Sequence, residues 1–212
     1  MQTLDVVNEM LGTMGQAPLN TLDDPHRYRG ACLSTLNKLN RSIQAKGWWF
    51  NREVLKLEPS ATTSLIYTEE GVGRMIYVPG DTINVRYPSQ NGMRPVRNIV
   101  QRGRRLYDLD GGSYFFTEAV TCEIVRLIDF QELPETAAQY IADSAVLQFQ
   151  SKYDGDTAKG RELQGRLTGP TGSFAAINVE ETRNRRVNFI TSNERLMRLK
   201  LLTQRGRNFT RR

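Results

Sequence analysis

The residues able to do chemistry are few. The 212-residue chain holds one histidine, His26. Any Ser-His-Asp or Cys-His site would have to use it as its base, and no nucleophile is aimed at it by spacing. It follows Pro25 in the expected first turn of a helix, where the dipole disfavours a positive charge, so it reads as a structural or surface residue. Metal-ligand spacings of the C-x-x-C, H-x₃-H and H-E-x-x-H kinds are absent. "DLDGG" (108–112) imitates the start of a calcium loop, but Gly112 and Ala119 stand where that loop needs oxygen ligands. "GVGRMI" (71–76) lacks a third glycine, and "TGPTGS" lacks the lysine of a phosphate loop. Glu69-Glu70 and Asp154/Asp156 are pairs that charged loops supply freely, and sequence gives no separation between them. No metal, cofactor or catalytic residue is expected, and the chain does not read as an enzyme.

Charge and apolar residues do combine at the C-terminal end. From residue 183 onward the chain carries ten basic residues against one acidic residue, Glu194. This exceeds the net charge of +6 for the whole chain, so the remainder is net acidic. Within this arm Arg195, Arg198, Lys200, Arg205, Arg207, Arg211 and Arg212 alternate with Leu196, Leu199 and Leu202. Arginine pairs best with carboxylate and phosphate, while phosphate binding needs no leucines. The mixture points to a protein partner. A solvated tail is the plain alternative.

Trp48 and Trp49, the two tryptophans of the chain, lie side by side in "KGWWFN". A helical pattern precedes them and strand patterns follow. Each ring can bury ~150–250 Å², enough to join two parts of a fold; an exposed Trp would instead anchor a partner. Both are therefore candidate interface residues.

The elements that must position these groups follow from periodicity. Leu4, Val7, Leu11 and Met14 form a helical stripe ending at Gly15. Asp24 as N-cap and Pro25 at the first position predict a second helix from 25 to 46, with Tyr28, Cys32, Thr35, Leu39 and Ile43 as its stripe and Gly47 as its stop. Strand patterns occupy 64–68, 74–78, 82–87, 96–101 and 122–128. In "TINVRY", Ile83, Val85 and Tyr87 alternate with Thr82, Asn84 and Arg86. "RLYDLDGGSYFF" (105–116) predicts a hairpin turning at Asp110-Gly111-Gly112. Helix returns after Pro134, with Ala137, Ile141, Ala145 and Phe149 as its stripe; further helices are expected over 157–167 and 173–192.

Neither pair of helices can bury its stripe alone, so helices from both ends must pack together. The expected fold is α+β: a helical bundle from 1–50 plus 131–192, an inserted antiparallel β lobe at 51–130, and an arm at 193–212. Cys32 and Cys122 fall on different elements and read as free core residues of a protein made in a reducing cytoplasm. No stretch approaches the ~18 apolar residues of a membrane helix.

Several segments, in order, resemble one family. "LDVVNEMLGTMGQAPLNTLD", "NKLNRSIQAKGWWFN", "RRLYDLDGGSYFF" and "EIVRLIDFQELPETAAQYIADSAVLQFQ" are similar to tail tubular protein A, the head-to-tail adaptor of short-tailed, autographivirus-type bacteriophages. The resemblance covers residues 4 to about 165 and implies a dodecameric ring in the virion tail. That ring would sit between the portal and the nozzle protein, tail tubular protein B, with DNA passing through it and no cofactor. The chain departs from the pattern at "TGPTGSF" and in its basic arm. The rival readings are a nucleic-acid-binding module using the arm, and a hydrolase with an unrecognised carboxylate pair.

Overall fold

The computed structural model describes residues 1–60, 66–68, 71–86 and 98–192, of which 66–68, 71–72 and 185–192 enter by backbone alone. The described part is an α+β fold with five α-helices and eight strands. The arm expected at 193–212 lies outside it.

Helix α1 (Thr3–Thr13) buries Val6, Val7, Met10 and Leu11, a wider stripe than its sequence spacing indicates. Helix α2 (Arg29–Gln44) starts later than expected. Asp24 does not cap it. Its carboxylate accepts the N–H groups of Asn20 and Thr21 at 2.8 and 3.0 Å and the Thr21 hydroxyl at 2.9 Å, closing a turn of its own. Competition of this kind from a short acidic side chain is why Asp favours turns as readily as caps. The buried face of α2 runs Cys32, Leu36, Asn40, Gln44 at strict fourfold spacing. The apolar stripe predicted through Thr35 and Leu39 is rotated from this face, because its last two members are amides.

After α3 (Glu135–Tyr153), which buries Ala137, Ile141, Ala145 and Phe149 as expected, come α4 (Thr157–Thr168) and α5 (Ser173–Ser192). The "TGPTG" break separates these two. Helices from both ends of the chain share one core: Val7 and Leu11 of α1, Leu36 of α2, Ile141 and Phe149 of α3 and Ile177 of α5.

The strands are β1 (Arg52–Leu57), β2 (Ile66–Thr68), β3 (Gly71–Met75), β4 (Thr82–Arg86), β5 (Ile99–Arg102), β6 (Arg105–Asp108), β7 (Phe115–Phe116) and β8 (Val120–Arg126). All pairings are antiparallel, in the orders β1-β8-β4, β2-β3-β7 and β5-β6. Ile76, Leu106, Phe116, Cys122 and Ile124 belong to a second core among them. Two expectations change here. The chain does reverse between Asp108 and Ser113, which form an isolated bridge, but β7 pairs with β3 and β6 pairs with β5. In β4 a register shift between Thr82 and Asn84 breaks the alternation, so Thr82 and Val85 are the buried residues. An extra residue in one strand puts positions three apart on the same face.

Candidate assembly interface

Two chain crossings join the helices to the sheets: 47–51 leads out and 127–129 returns. Gly47 stops α2 with a φ of +73°, where a Cβ would come within 3.0 Å of Val125 Cγ2. Trp48 then turns back into the helical core and is 2% exposed. Its indole N–H donates to the Ile43 carbonyl at 2.9 Å, its ring meets Tyr140 edge-on at 6.3 Å, and the Lys46 ammonium lies 4.3 Å from it. Trp49 is half-buried against the helices and stacks edge-on with Phe50 at 5.1 Å. Of the paired tryptophans, Trp49 is the one with surface to offer another chain.

Three buried amides tie the crossings together. The Asn51 side chain accepts the Trp48 N–H at 2.8 Å and donates to the carbonyls of Gln44 and Arg126 at 3.0 and 2.9 Å. The Gln44 side chain accepts the Ile128 N–H at 2.9 Å and donates to the Ile128 carbonyl at 2.8 Å and to Asn40 at 2.7 Å. Outgoing and returning chains are thus bonded to the last turn of α2 and to each other. Neighbouring water could not replace these bonds at so buried a place, so losing one strands its partners. Sequence reading by apolarity missed this triad; its only sequence signal is the fourfold spacing of Asn40 and Gln44 from Cys32 and Leu36.

Charge pairs brace the same neck from outside. Glu181 of α5 accepts the Trp49 N–H at 2.8 Å and lies 3.6 Å from Arg52. Arg52 and Arg86 both reach Glu123, at 3.9 and 3.8 Å, and Arg86 also donates to the Lys46 carbonyl at 2.7 Å. Helix α5, which leads toward the basic arm, is therefore anchored on the neck. On the other side Arg126 bonds Asp81 at 2.6 Å and Glu53 at 3.1 Å, at the edge of an open cleft of about 490 Å³. The hydrogen bond from Arg126 holds the Asp81 carboxyl below its ordinary range. That is the wrong direction for a general acid.

The other chemical candidates are occupied structurally. His26 Nδ1 accepts the Tyr28 N–H at 3.2 Å. Asp156 caps α4 through the N–H groups of Ala158 and Lys159, and Asp154 pairs with Lys159 at 3.2 Å. Asp108 accepts from Asp110 and Gly111 within its turn. Cys32 and Cys122 are free and buried, and burial pushes both thiols up to about 11. Among the described residues no cluster of three or more His, Cys, Asp or Glu could hold a metal, and no helix is long and apolar enough to cross a membrane. Glu69 and Glu70 lie outside the described residues, as do Arg195, Leu196, Arg198, Leu199, Lys200, Leu202, Arg205, Arg207, Arg211 and Arg212.

The chain is 27% identical over 148 residues to tail tubular protein A of Klebsiella phage KP34, covering 70% of this chain and 71% of that one. The family model described as tail tubular protein matches residues 4–196. The chain belongs to the tail tubular protein family and is a structural protein of a phage tail.

Proposed function

We propose that the protein is the head-to-tail adaptor of its virion, closing into a ring between the portal and the tail nozzle through which DNA passes. The observation that carries this reading is the neck. Three buried amides, the Arg52–Glu181 pair and the bond from Arg86 to the Lys46 carbonyl hold the β strands in one attitude to the helices. A ring docks on its neighbour in the stack only if every copy holds the lobe that meets it at one fixed angle to the wall, and a hinged neck would let that angle wander. Residues 1–50 with 131–192 act as the wall of the ring, 51–130 as a lobe facing one neighbour in the stack, and 193–212 as the arm. A dodecamer, with portal on one side and tail tubular protein B on the other, is the assembly that the family resemblance implies.

The arm leaves from α5, whose Glu181 is fixed to Trp49 and Arg52. In this reading it grips the portal or an adjacent adaptor copy, using arginine for carboxylates and leucine for apolar pockets. The protein made in the host cytoplasm joins the virion at this step. Deleting residues 193–212 should weaken association with purified portal. Capsids that acquire tails as efficiently without the arm as with it would refute that role.

A further inference from the structure

The hairpin formed by β5 and β6 concentrates basic side chains at its turn. Its tip reads Gln101-Arg102-Gly103-Arg104-Arg105, with Gly103 at a φ of +64° making the tight reversal. Ile99 and Leu106 point into the sheet core. The opposite face carries Val100, Arg102, Arg105 and Tyr107. Arg102 and Arg105 are direct cross-strand partners, and like charges placed so are destabilising. Each guanidinium lies over an aromatic ring: Arg102 over Tyr107 at 3.6 Å, Arg105 over Tyr114 at 4.7 Å. The two rings pack on each other at 4.7 Å.

Arg52, Arg86, Arg126 and Arg166 have carboxylate partners within 4 Å. Among the described residues Arg102, Arg104 and Arg105 have no such ion pair. The nearby Asp108 and Asp110 are spent on backbone N–H groups. Stacking on tyrosine uses the flat face of a guanidinium and leaves its N–H edge open to an anion. We infer that this tip binds the phosphate backbone of duplex DNA, through Arg102, Arg104 and Arg105, with the tyrosine pair holding two of the three guanidiniums in place.

Duplex DNA fits better than an acidic protein because the tip carries no aliphatic side chain, whereas protein interfaces are centred on buried apolar anchors. Backbone contacts of this kind are sequence-independent and let a duplex slide. On the adaptor reading, on which its placement in the virion rests, the tip meets the passing genome without arresting it.

The test uses the full chain and a short random-sequence DNA duplex, with binding followed against salt. Each neutralised phosphate contributes roughly 0.9 to the slope of log affinity on log salt. Arg102→Gln/Arg104→Gln/Arg105→Gln should lower that slope by about 2–3, with the melting temperature kept or raised as the like-charge pair disappears. If Arg105, half-buried beside Met75, is needed for folding, Arg102→Gln/Arg104→Gln avoids it and should lower the slope by about 1–2. An unchanged slope in the folded double variant overturns the inference and leaves DNA binding to the arm. An unchanged slope with lost binding of poly-glutamate also overturns it and assigns the tip to an acidic protein. Portal capture is scored separately. A lowered slope without portal capture keeps the hairpin and sinks the adaptor; portal capture with an unchanged slope does the reverse.

Discussion

Asn51 has one side-chain oxygen and two N–H groups to satisfy, and its partners come from the end of α2, from Trp48 and from Arg126. Asn51→Ala strands the Trp48 N–H and two carbonyls, and should cost about 2–4 kcal/mol, read as a lower denaturant midpoint. A midpoint unchanged within error would mean the triad holds nothing. The cysteines give a second check. With both thiols buried and pushed up to about 11, neither should react with a disulfide reagent at pH 8 until the protein unfolds; prompt labelling of the native chain would contradict the core placement. A third concerns Asp81, whose carboxyl is lowered chiefly by its bond to Arg126. A group depressed in the folded state stabilises above its unfolded value near 3.9, and that contribution is lost as pH falls through the folded value. Asp81→Asn should therefore flatten the stability profile below about pH 4 and shift it by a small, salt-screened amount above. A steeper acid limb in the variant would show the sign to be wrong.

At the scale of elements, α4 has no buried residue; Leu163 packs half-buried on the helical core, and charges tie the helix down on either side of it. Arg166 reaches Asp143, which is 2% exposed, at 3.0 Å and Glu9 at 2.5 Å, while Lys159 donates to the Thr13 carbonyl at 2.8 Å. Arg166→Ala leaves Asp143 with the Gln139 amide as its side-chain partner and should destabilise by about 1–3 kcal/mol, less than for a fully buried pair because Arg166 faces water. Hydrogen exchange would locate the effect: α4 amides should lose protection while α3 amides keep theirs. How legible an element was depended on whether its buried face was apolar. The α3 stripe of Ala137, Ile141, Ala145 and Phe149 could be read directly, since all four are hydrophobic and in phase. The α2 face could not, because Asn40 and Gln44 are buried by their partners and not by their own polarity. Nor could the bulge at Thr82–Asn84 or the pairing of β7 with β3, both set by strands distant in sequence. The placement of Trp48 and Trp49 at the joint was readable because Gly47 marks a helix stop. The amides that make the joint stiff were not.

For the whole molecule, on the adaptor reading, stiffness at the neck serves docking of the ring on its neighbour in the stack. One core draws on both ends of the chain, the other on the strands between, and they meet at 47–51 and 127–129. Copies with a loosened neck, such as Asn51→Ala at a temperature where it remains folded, should dock more weakly on the neighbour that their β lobe meets, because an uncertain angle between wall and lobe spoils the match of the stacked faces. Stoichiometric capture of the purified chain by purified portal tests the account most directly. Saturable binding of adaptor copies as one closed ring per portal is the expected result, weakened when residues 193–212 are removed. A properly folded chain that leaves the portal unoccupied at every concentration would contradict it.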